Sequence, residues 1–179
     1  KRQLETGESR CVSEEIFNDF GPVFSADGER LFFVSNRRFD PTLCDFEWEM
    51  VYKDVAGIYC LTLRKDGAPL LPFKSDEVEA GAPAGDEKKA GKQDKKKPLV
   101  IDFDGITERI EHLPLPRGNY RNLAATESAL YYLNKDDGDF NRFEFRAIGP
   151  RDLKRFAFDD REEKTVIAGI DGYRLSADG

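Results

Sequence analysis

Residues 24–34 read Phe-Ser-Ala-Asp-Gly-Glu-Arg-Leu-Phe-Phe-Val, and this stretch decides the fold. An Asp-Gly turn stands directly before a short apolar and aromatic run, which predicts a β-hairpin because glycine adopts positive φ and aspartate tolerates the turn. The run hardly alternates between apolar and polar side chains, as expected of a strand that is covered on both faces. We therefore expect a buried strand over residues 30–35, entered through a turn.

The same pattern recurs later in the chain. Residues 123–133 align without gaps to residues 24–34, and residues 175–179 begin a third copy. The first two copies start 99 residues apart, and the third starts 52 residues after the second. The first spacing falls to 58 when two stretches that interrupt the strand pattern, residues 38–53 and 74–98, are set aside. A period of about 50 residues in an all-β chain indicates a β-propeller, whose blades are four-stranded sheets.

Short apolar runs separated by Gly, Asp and Pro turns extend over most of the chain. They predict strands, because scarcely any stretch shows 3.6-residue periodicity. Besides residues 30–35, we expect strands over residues 57–63, 107–113, 130–133, 143–148, 153–158 and 164–168. The predicted fold class is all-β: a partial β-propeller of about two blades of four-stranded antiparallel sheet, cut from a larger ring.

Composition divides the chain into three regions. Residues 1–73 are predicted to form a propeller blade region with an aromatic and acidic excursion at 38–53, and residues 99–179 to continue the blades. Residues 74–98 are rich in lysine and contain almost no apolar side chains, so we expect a disordered insertion. Two blades alone leave their outer sheets uncovered, and we expect them to be marginally stable without the rest of the ring.

The overall composition excludes several classes of protein. Of the 179 residues, 39% are hydrophobic, which is enough to build a core and excludes complete disorder. No run approaches the roughly 18 apolar residues of a membrane span. The net charge of −7, and the lack of aromatic residues among the lysines at 88–97, argue against nucleic-acid binding. Because the chain starts at Lys1 and Met50 is its only methionine, we expect a piece of a larger protein.

No metal or cofactor site is predicted. Three widely spaced cysteines (Cys11, Cys44 and Cys60) and one histidine lack the paired spacing of a zinc site, and we expect free thiols. Asp102 and Asp104 stand before a glycine, but the further acids of a calcium loop are missing, so a turn is the better interpretation. The mixed-sign cluster at 159–164 is interpreted as a solvated loop.

His112 is the only histidine and hence the only ordinary general base in the chain. Ser-His-Asp chemistry also needs a positioned serine and an orienting acid, and no G-x-S-x-G motif occurs. In a strand, His112 would share a face with Ile106 and Ile110. We predict a structural or exposed histidine and no catalytic residue, and a small hydrolase that uses His112 is the least favoured alternative.

Residues 24–37 resemble the S-P-D-G-K repeat of TolB-like propellers, with Ala26 in place of the usual proline. Further stretches are similar to the amino-terminal propeller of tricorn-type serine peptidases: residues 38–42, 45–48, 58–63, 100–109, 113–114 and 118–120. The resemblance implies a large peptidase whose propellers gate or channel peptides toward a separate catalytic domain with a serine nucleophile and a histidine base. No motif of that domain can be matched in this chain, so no catalytic residue carries over.

The aromatic side chains of the excursion are the candidate contact residues. Trp48, Phe46 and Tyr52 stand among acidic residues. Packing of the excursion itself is the simpler interpretation, because large aromatic side chains are usually buried. A contact with a peptide or with a neighbouring domain is the alternative.

These observations predict a non-catalytic propeller segment of a tricorn-like serine peptidase that gates or channels peptides. The implied partners are peptides, other domains of the same chain and further copies in a homo-oligomer, with neither nucleic acid nor membrane. A stand-alone TolB-like propeller that binds another protein is the alternative function. The expected location is the cytoplasm, with the periplasm as the alternative.

Overall fold

The computed structural model describes residues 11–13, 16–38, 42–43, 50–51, 55–72, 99–135 and 150–176. Within these ranges the chain forms ten β-strands, and the one helical element is a 3₁₀ turn over Ile106–Arg109. The strands form two four-stranded antiparallel sheets and one two-stranded ladder. The prediction of an all-β fold with two blades of four-stranded sheet is confirmed.

Each blade is one antiparallel sheet. The first sheet contains, in spatial order, β1 (Asp19–Phe24), β2 (Arg30–Ser35), β5 (Gly57–Thr62) and β6 (Ile110–His112). The second sheet contains, in spatial order, β7 (Arg121–Ala125), β8 (Ala129–Asn134), β9 (Arg151–Ala157) and β10 (Glu163–Ile170). The two-stranded ladder pairs β3 (Thr42–Leu43) with β4 (Met50–Val51) inside the predicted excursion. Within each sheet the spatial order of the strands is their order along the chain, as in a propeller blade, with the β3–β4 ladder inserted between β2 and β5.

The first hairpin of each sheet is built in the same way, but the two turns differ in length. In both turns a hydroxyl accepts the amide N–H that starts the next strand: Ser25 from Arg30 at 2.9 Å, and Thr126 from Ala129 at 3.1 Å. Ser25 therefore corresponds to Thr126. The gapless alignment of residues 24–34 with residues 123–133 pairs β2 with β8 correctly. It misplaces β1 against β7 by two residues, because the turn between β7 and β8 is two residues shorter than the turn between β1 and β2.

A bulge at the same place in β1 and β7 supports this corrected correspondence. The register of β1 shifts between Phe20 and Val23, and that of β7 shifts between Arg121 and Ala124. Each bulge contains one residue with left-handed backbone, Gly21 at φ 62° and Asn122 at φ 51°. The second position uses asparagine, which tolerates this conformation better than most side chains do.

Most of the core lies between the two sheets. We call it the inter-blade core, and its members, buried to at least 94%, are Phe32, Val34, Ala56, Ile58, Cys60, Leu113, Leu115, Tyr120, Leu130, Tyr132 and Phe156. Phe32 stacks on Phe158 of the second sheet's last turn, with ring centroids 5.6 Å apart. The two sheets are thus held face to face by apolar contact, which is how propeller blades are stabilised.

The opposite face of the first sheet, which we call the outer face, carries a second cluster. Its buried members are Phe33, Tyr59, Leu61, Leu63 and Ile106. Chain segments cover this face, with Val12, Ile101 and Phe103 packed against it. Strands β2 and β5 are therefore buried on both faces, in agreement with the missing alternation in residues 30–35.

Two local predictions are wrong. The strand expected over residues 107–113 begins only at Ile110, because a 3₁₀ turn precedes it. Ile106 therefore reaches the outer face from that turn, and only Ile110 shares a strand face with His112.

The cluster at 159–164 is not entirely a solvated loop, since Glu163 starts β10 and its side chain is 22% exposed. Its carboxylate accepts hydrogen bonds from the Tyr132 hydroxyl at 2.5 Å and the Lys154 ammonium at 3.0 Å. The strand predicted over residues 143–148 lies outside the described residues.

Candidate functional site

Among the described residues, those around His112 do not form a catalytic arrangement. It is the last residue of β6 and lies opposite Tyr59 of β5, with ring centroids 5.0 Å apart in an edge-on contact. Its Nε2 is 3.5 Å from Nη1 of Arg38. Burial, and next the positive charge of Arg38, lower the pKa of His112. An aromatic ring and a guanidinium are not the acid and the nucleophile that a triad requires.

Arg37 fixes the corner next to His112. Its guanidinium lies over the rings of Phe17, Phe33 and Tyr59, at 4.7, 5.5 and 4.9 Å from their centroids. The same group pairs with Asp19 at 2.9 Å, and both side chains are 15% exposed. These cation–π and ionic contacts tie the segment before β1 to the outer face. Arg37 therefore stabilises the packing of this corner, and its guanidinium occupies the space over the aromatic rings.

The acidic residues around Gly105 form a turn held by basic side chains, as predicted. The Asp102 carboxylate accepts the amide N–H of Lys65 at 2.8 Å, and the Asp104 carboxylate pairs with the Lys65 ammonium at 3.2 Å. Arg109 donates to the backbone carbonyls of Asp102 and Asp104. Gly105 has φ 60° and allows the chain to reverse. Both carboxylates thus serve the turn.

The described cysteines are free thiols of opposite character. Cys11 is exposed, whereas Cys60 is fully buried in the inter-blade core. Burial raises the pKa of the Cys60 thiol to about 12, with a smaller contribution from Glu111. Among the described residues, no group of three or more His, Cys, Asp or Glu side chains could hold a metal ion.

Trp48, Phe46 and Tyr52 lie outside the described residues. Their contact with a peptide or a neighbouring domain stays a prediction.

A polar cleft opens between the two sheets at the edge where β1, β5, β7 and β9 begin. We call it the rim cleft. It has a volume of about 370 Å³ and is lined by Asn18, Phe20, Asn36, Val55, Ala56, Asn119, Tyr120, Arg121 and Arg151. β1 and β7, the first strand of each sheet, pack beside one another at this cleft.

Two arginines are among the residues that line the rim cleft. The Arg121 guanidinium lies 5.7 Å from the centroid of the Phe20 ring. Arg151 begins strand β9, which β8 separates from β7, and is partly buried. Burial, and next the charge of Arg121, lower the pKa of Arg151.

Sequence reasoning missed the rim cleft. Arg121 and Arg151 are 30 positions apart and share no motif, so only the pairing of β7, β8 and β9 brings them together. The sequence does contain a weak signal for the cleft. When β1 is matched to β7 by their hydrogen-bonded turns, Asn18 corresponds to Asn119, and each precedes the first strand of its sheet. The two-residue difference between the turns conceals it from a gapless alignment.

The comparisons with known proteins agree with this architecture. The family described as the tricorn protease second beta propeller domain matches residues 2–179. The chain belongs to this family. The resemblance to a propeller of tricorn-type peptidases is confirmed, but the matching family is the second propeller and not the amino-terminal propeller that the sequence resembled.

Two curated relatives match nearly the whole chain. The tricorn protease of Thermoplasma volcanium is 24% identical over 171 residues, which cover 94% of this chain and 15% of the relative. Tricorn protease homolog 1 of Streptomyces coelicolor is 24% identical over 198 residues, which cover 99% of this chain and 17% of the relative. The chain thus spans about a sixth of the length of these relatives.

A solved structure shows the same fold. The crystal structure of the tricorn protease matches with a TM-score of 0.70 and 21% sequence identity, over 99% of this chain and 16% of that chain. At this identity the likeness establishes the fold alone. In the part of the chain that the structure describes, no helix is long and apolar enough to cross a membrane.

Proposed function

We propose that this chain is a non-catalytic propeller segment of a tricorn-type serine peptidase and that it channels peptides toward a separate catalytic domain. The observation that carries the proposal is the family match over residues 2–179. Two relatives are named tricorn protease and tricorn protease homolog, and the chain spans 15% and 17% of their lengths. A peptidase site therefore has ample room outside the matched part.

The surroundings of His112 support a non-catalytic role. Its ring contacts Tyr59 and Arg38, and neither of these is the carboxylate that orients the imidazole or the serine that attacks the peptide in a triad. Two other titratable groups with a strong shift, Cys60 and Tyr132, lie in the packed core. We therefore assign the chemistry to a part of the protein beyond this chain.

The position of the first strands supports a channel. In a propeller the blades surround a central channel, and the first strand of each blade lies nearest to it. Here β1 and β7 are the first strands and are neighbours. Residues exposed on them, among them Asn122, would face a peptide that passes along the axis.

The proposal extends to partners and location. We propose that the partners are peptides, the other domains of the same chain and further copies of the protein, and that the protein works in the cytoplasm.

The test uses the full-length protein with a bulky label on the channel strand. Cys11, Cys44 and any reactive cysteine outside this chain are replaced by Ser, and Cys60 stays, because full burial and a pKa of about 12 keep its thiol unreactive. Asn122→Cys is then coupled to a large maleimide. We expect the label to slow hydrolysis of long peptides about tenfold or more, and to leave a minimal chromogenic substrate unaffected.

The matched control carries the same label on the outer edge of the second sheet. Lys164 of β10 is 62% exposed and far from the first strands, so labelled Lys164→Cys should cleave both substrates at the unlabelled rate. If labelled Asn122→Cys also cleaves long peptides at the unlabelled rate, peptides do not pass along β7 and the proposal fails. Circular dichroism of the labelled proteins verifies that both are folded.

A further inference from the structure

A chain segment crosses the gap between the two sheets at their turn end, where β1, β5, β7 and β9 end. We call this segment, residues 64–72, the strap. Its Leu70 and Leu71 side chains are half-buried and pack against the inter-blade core. At this end the core is therefore closed by two apolar side chains of a loop and not by a strand.

Guanidinium groups fasten the strap to both sheets. Arg30, the first residue of β2, donates to the carbonyl of Ala68 at 3.2 Å. Arg161, in the turn between β9 and β10, donates to the carbonyl of Pro72. Arg161 has left-handed backbone at φ 61°, which residues other than glycine rarely adopt. The residue that holds the far end of the strap is thus kept in an unfavourable backbone conformation.

The strap lies directly on the end of β5. A Cβ added to Gly67 would be only 2.6 Å from Cγ2 of Thr62, so glycine is required for this close contact. Thr62 is the last residue of β5 and is 4% exposed. Cys60 stands two positions earlier, on the same face of the strand, and is fully buried in the inter-blade core. Thr62 and the strap therefore lie between the solvent at the turn end and the Cys60 thiol.

Closing the strap buries polar atoms without partners. Oγ1 of Thr62 and Nε of Arg30 are both buried, and neither has a hydrogen-bond partner in the part of the chain that the structure describes. Burial of an unpaired polar atom is unfavourable, because the atom loses its hydrogen bonds to water. The apolar contacts of Leu70 and Leu71, which favour the closed strap, are therefore partly offset by these two atoms.

We propose that the strap is a latch: it opens as a unit while both sheets stay folded, and it then admits water and small reagents to the turn end of the inter-blade core. Local openings of this kind need less free energy than global unfolding does. The closed state predominates, so Cys60 is protected during a brief labelling reaction, and only a slow reaction detects the open state. The latch is a property of the two blades and does not depend on whether peptides pass the channel.

The reactivity of Cys60 measures the opening. In the 179-residue chain with Cys11 and Cys44 replaced by Ser, Cys60 is the single thiol. Its reaction with dithiobis(nitrobenzoate) is followed by absorbance at about pH 8, near the ordinary pKa of a thiol. The reaction is repeated at increasing urea concentrations, and circular dichroism under the same conditions gives the global stability.

The urea dependence distinguishes the latch from global unfolding without any variant of the strap. Opening of the strap exposes little surface, so the rate at low urea should change by less than about twofold and should rise steeply only when global unfolding takes over. A rate that follows global unfolding from the lowest urea concentration overturns the inference. A rate equal to that of the unfolded chain also overturns it, because the strap would then not cover the thiol.

The first variant releases the far end of the strap. Arg161→Met removes the donor to Pro72 and should speed the reaction of Cys60 at low urea about tenfold, since a hydrogen bond from a charged group contributes about that factor. Arg155→Met is the matched control. Arg155 is also half-buried, but it lies on the opposite face of β9 from Phe156 of the inter-blade core, and its replacement should leave the rate unchanged.

The second variant lifts the strap at its contact with β5. Gly67→Ala places a methyl group against Cγ2 of Thr62 and should also speed the reaction, whereas Gly172→Ala, where an added Cβ meets nothing within 4 Å, should not. Thr62→Ser removes Cγ2, so the double variant should react at the rate of Thr62→Ser alone. An unchanged rate in Arg161→Met or Gly67→Ala overturns the inference, and so does an increase that the loss of global stability explains in full.

Discussion

The inter-blade core and the outer face use neighbouring residues of the same strands, but they are closed in different ways. Phe32 points into the inter-blade core and is 0% exposed, because a complete second sheet covers it. Phe33 points the other way, against loop segments and the Arg37 guanidinium. Beside Phe33 an apolar groove of about 520 Å³ extends to Phe24, which is 45% exposed.

The difference shows what one blade contributes to another. A sheet that packs on a sheet excludes water from every apolar side chain on that face, whereas loops cover the other face only in part. Both faces carry aromatic and aliphatic residues of similar size. The free energy of folding should therefore depend more on the inter-blade core, although the sequence gives the two faces the same chemistry.

The largest expected effect compares two adjacent phenylalanines. Phe32→Ala removes a ring that stacks on Phe158 at 5.6 Å in a closed core, and it should lower the free energy of unfolding by about 4 kcal/mol. Phe33→Ala should cost about 2 kcal/mol, because water can enter the space from the adjacent groove. Urea unfolding followed by circular dichroism measures both. Equal losses would show that loops seal the outer face as well as a sheet does.

The second prediction concerns the charged group that closes the outer face. Arg37→Met keeps the volume of the side chain but leaves Asp19 in a mostly buried position without its ionic partner. We expect a loss of about 2 kcal/mol in the free energy of unfolding, less than for a fully buried pair because both side chains are 15% exposed. Arg38→Met, at the exposed neighbouring position, is the control and should cost under about 0.5 kcal/mol. A loss at Arg38 as large as at Arg37 would contradict this role.

Much of the fold could be predicted because its signals are local. The turn at Asp27-Gly28 and the unbroken apolar runs of β2 and β5 identify buried strands, and the repeat identifies the blades. The register of the hairpins could not be read, because Thr126 takes over the role of Ser25 after a shorter turn. That choice depends on hydrogen bonds within the turn, which a gapless alignment does not detect.

The candidate site was predicted less well, because its residues meet only in the folded chain. Arg121 and Arg151 come together through strand pairing, and neither stands in a motif. Glu163 was assigned to a loop from its charged neighbours, yet Tyr132 and Lys154 hold it on the sheet. Composition indicates whether a segment can be solvated. It does not identify which charged side chain, here that of Glu163, forms hydrogen bonds with partly buried partners.

The third prediction distinguishes the two faces by pH. Cys60 lies on the sealed side, and burial raises the pKa of its thiol from 9.0 to about 12. Below about pH 9 the thiol is protonated in both states, so its contribution to stability is constant. Between about pH 9 and 12 the unfolded chain loses the proton while the folded chain keeps it, so the free energy of unfolding should fall by about 1.4 kcal/mol per pH unit.

Cys60→Ala should remove this slope, whereas Cys11→Ala, at an exposed thiol, should retain it. Burial also raises the pKa of Tyr59, Tyr132 and Tyr173, and these groups contribute the same slope in all three proteins. The difference between Cys60→Ala and the unaltered chain in urea unfolding at about pH 8 and pH 11 therefore isolates the thiol. A difference that stays constant between the two pH values would mean that Cys60 meets water in the native state, and that the inter-blade core is no better sealed than the outer face.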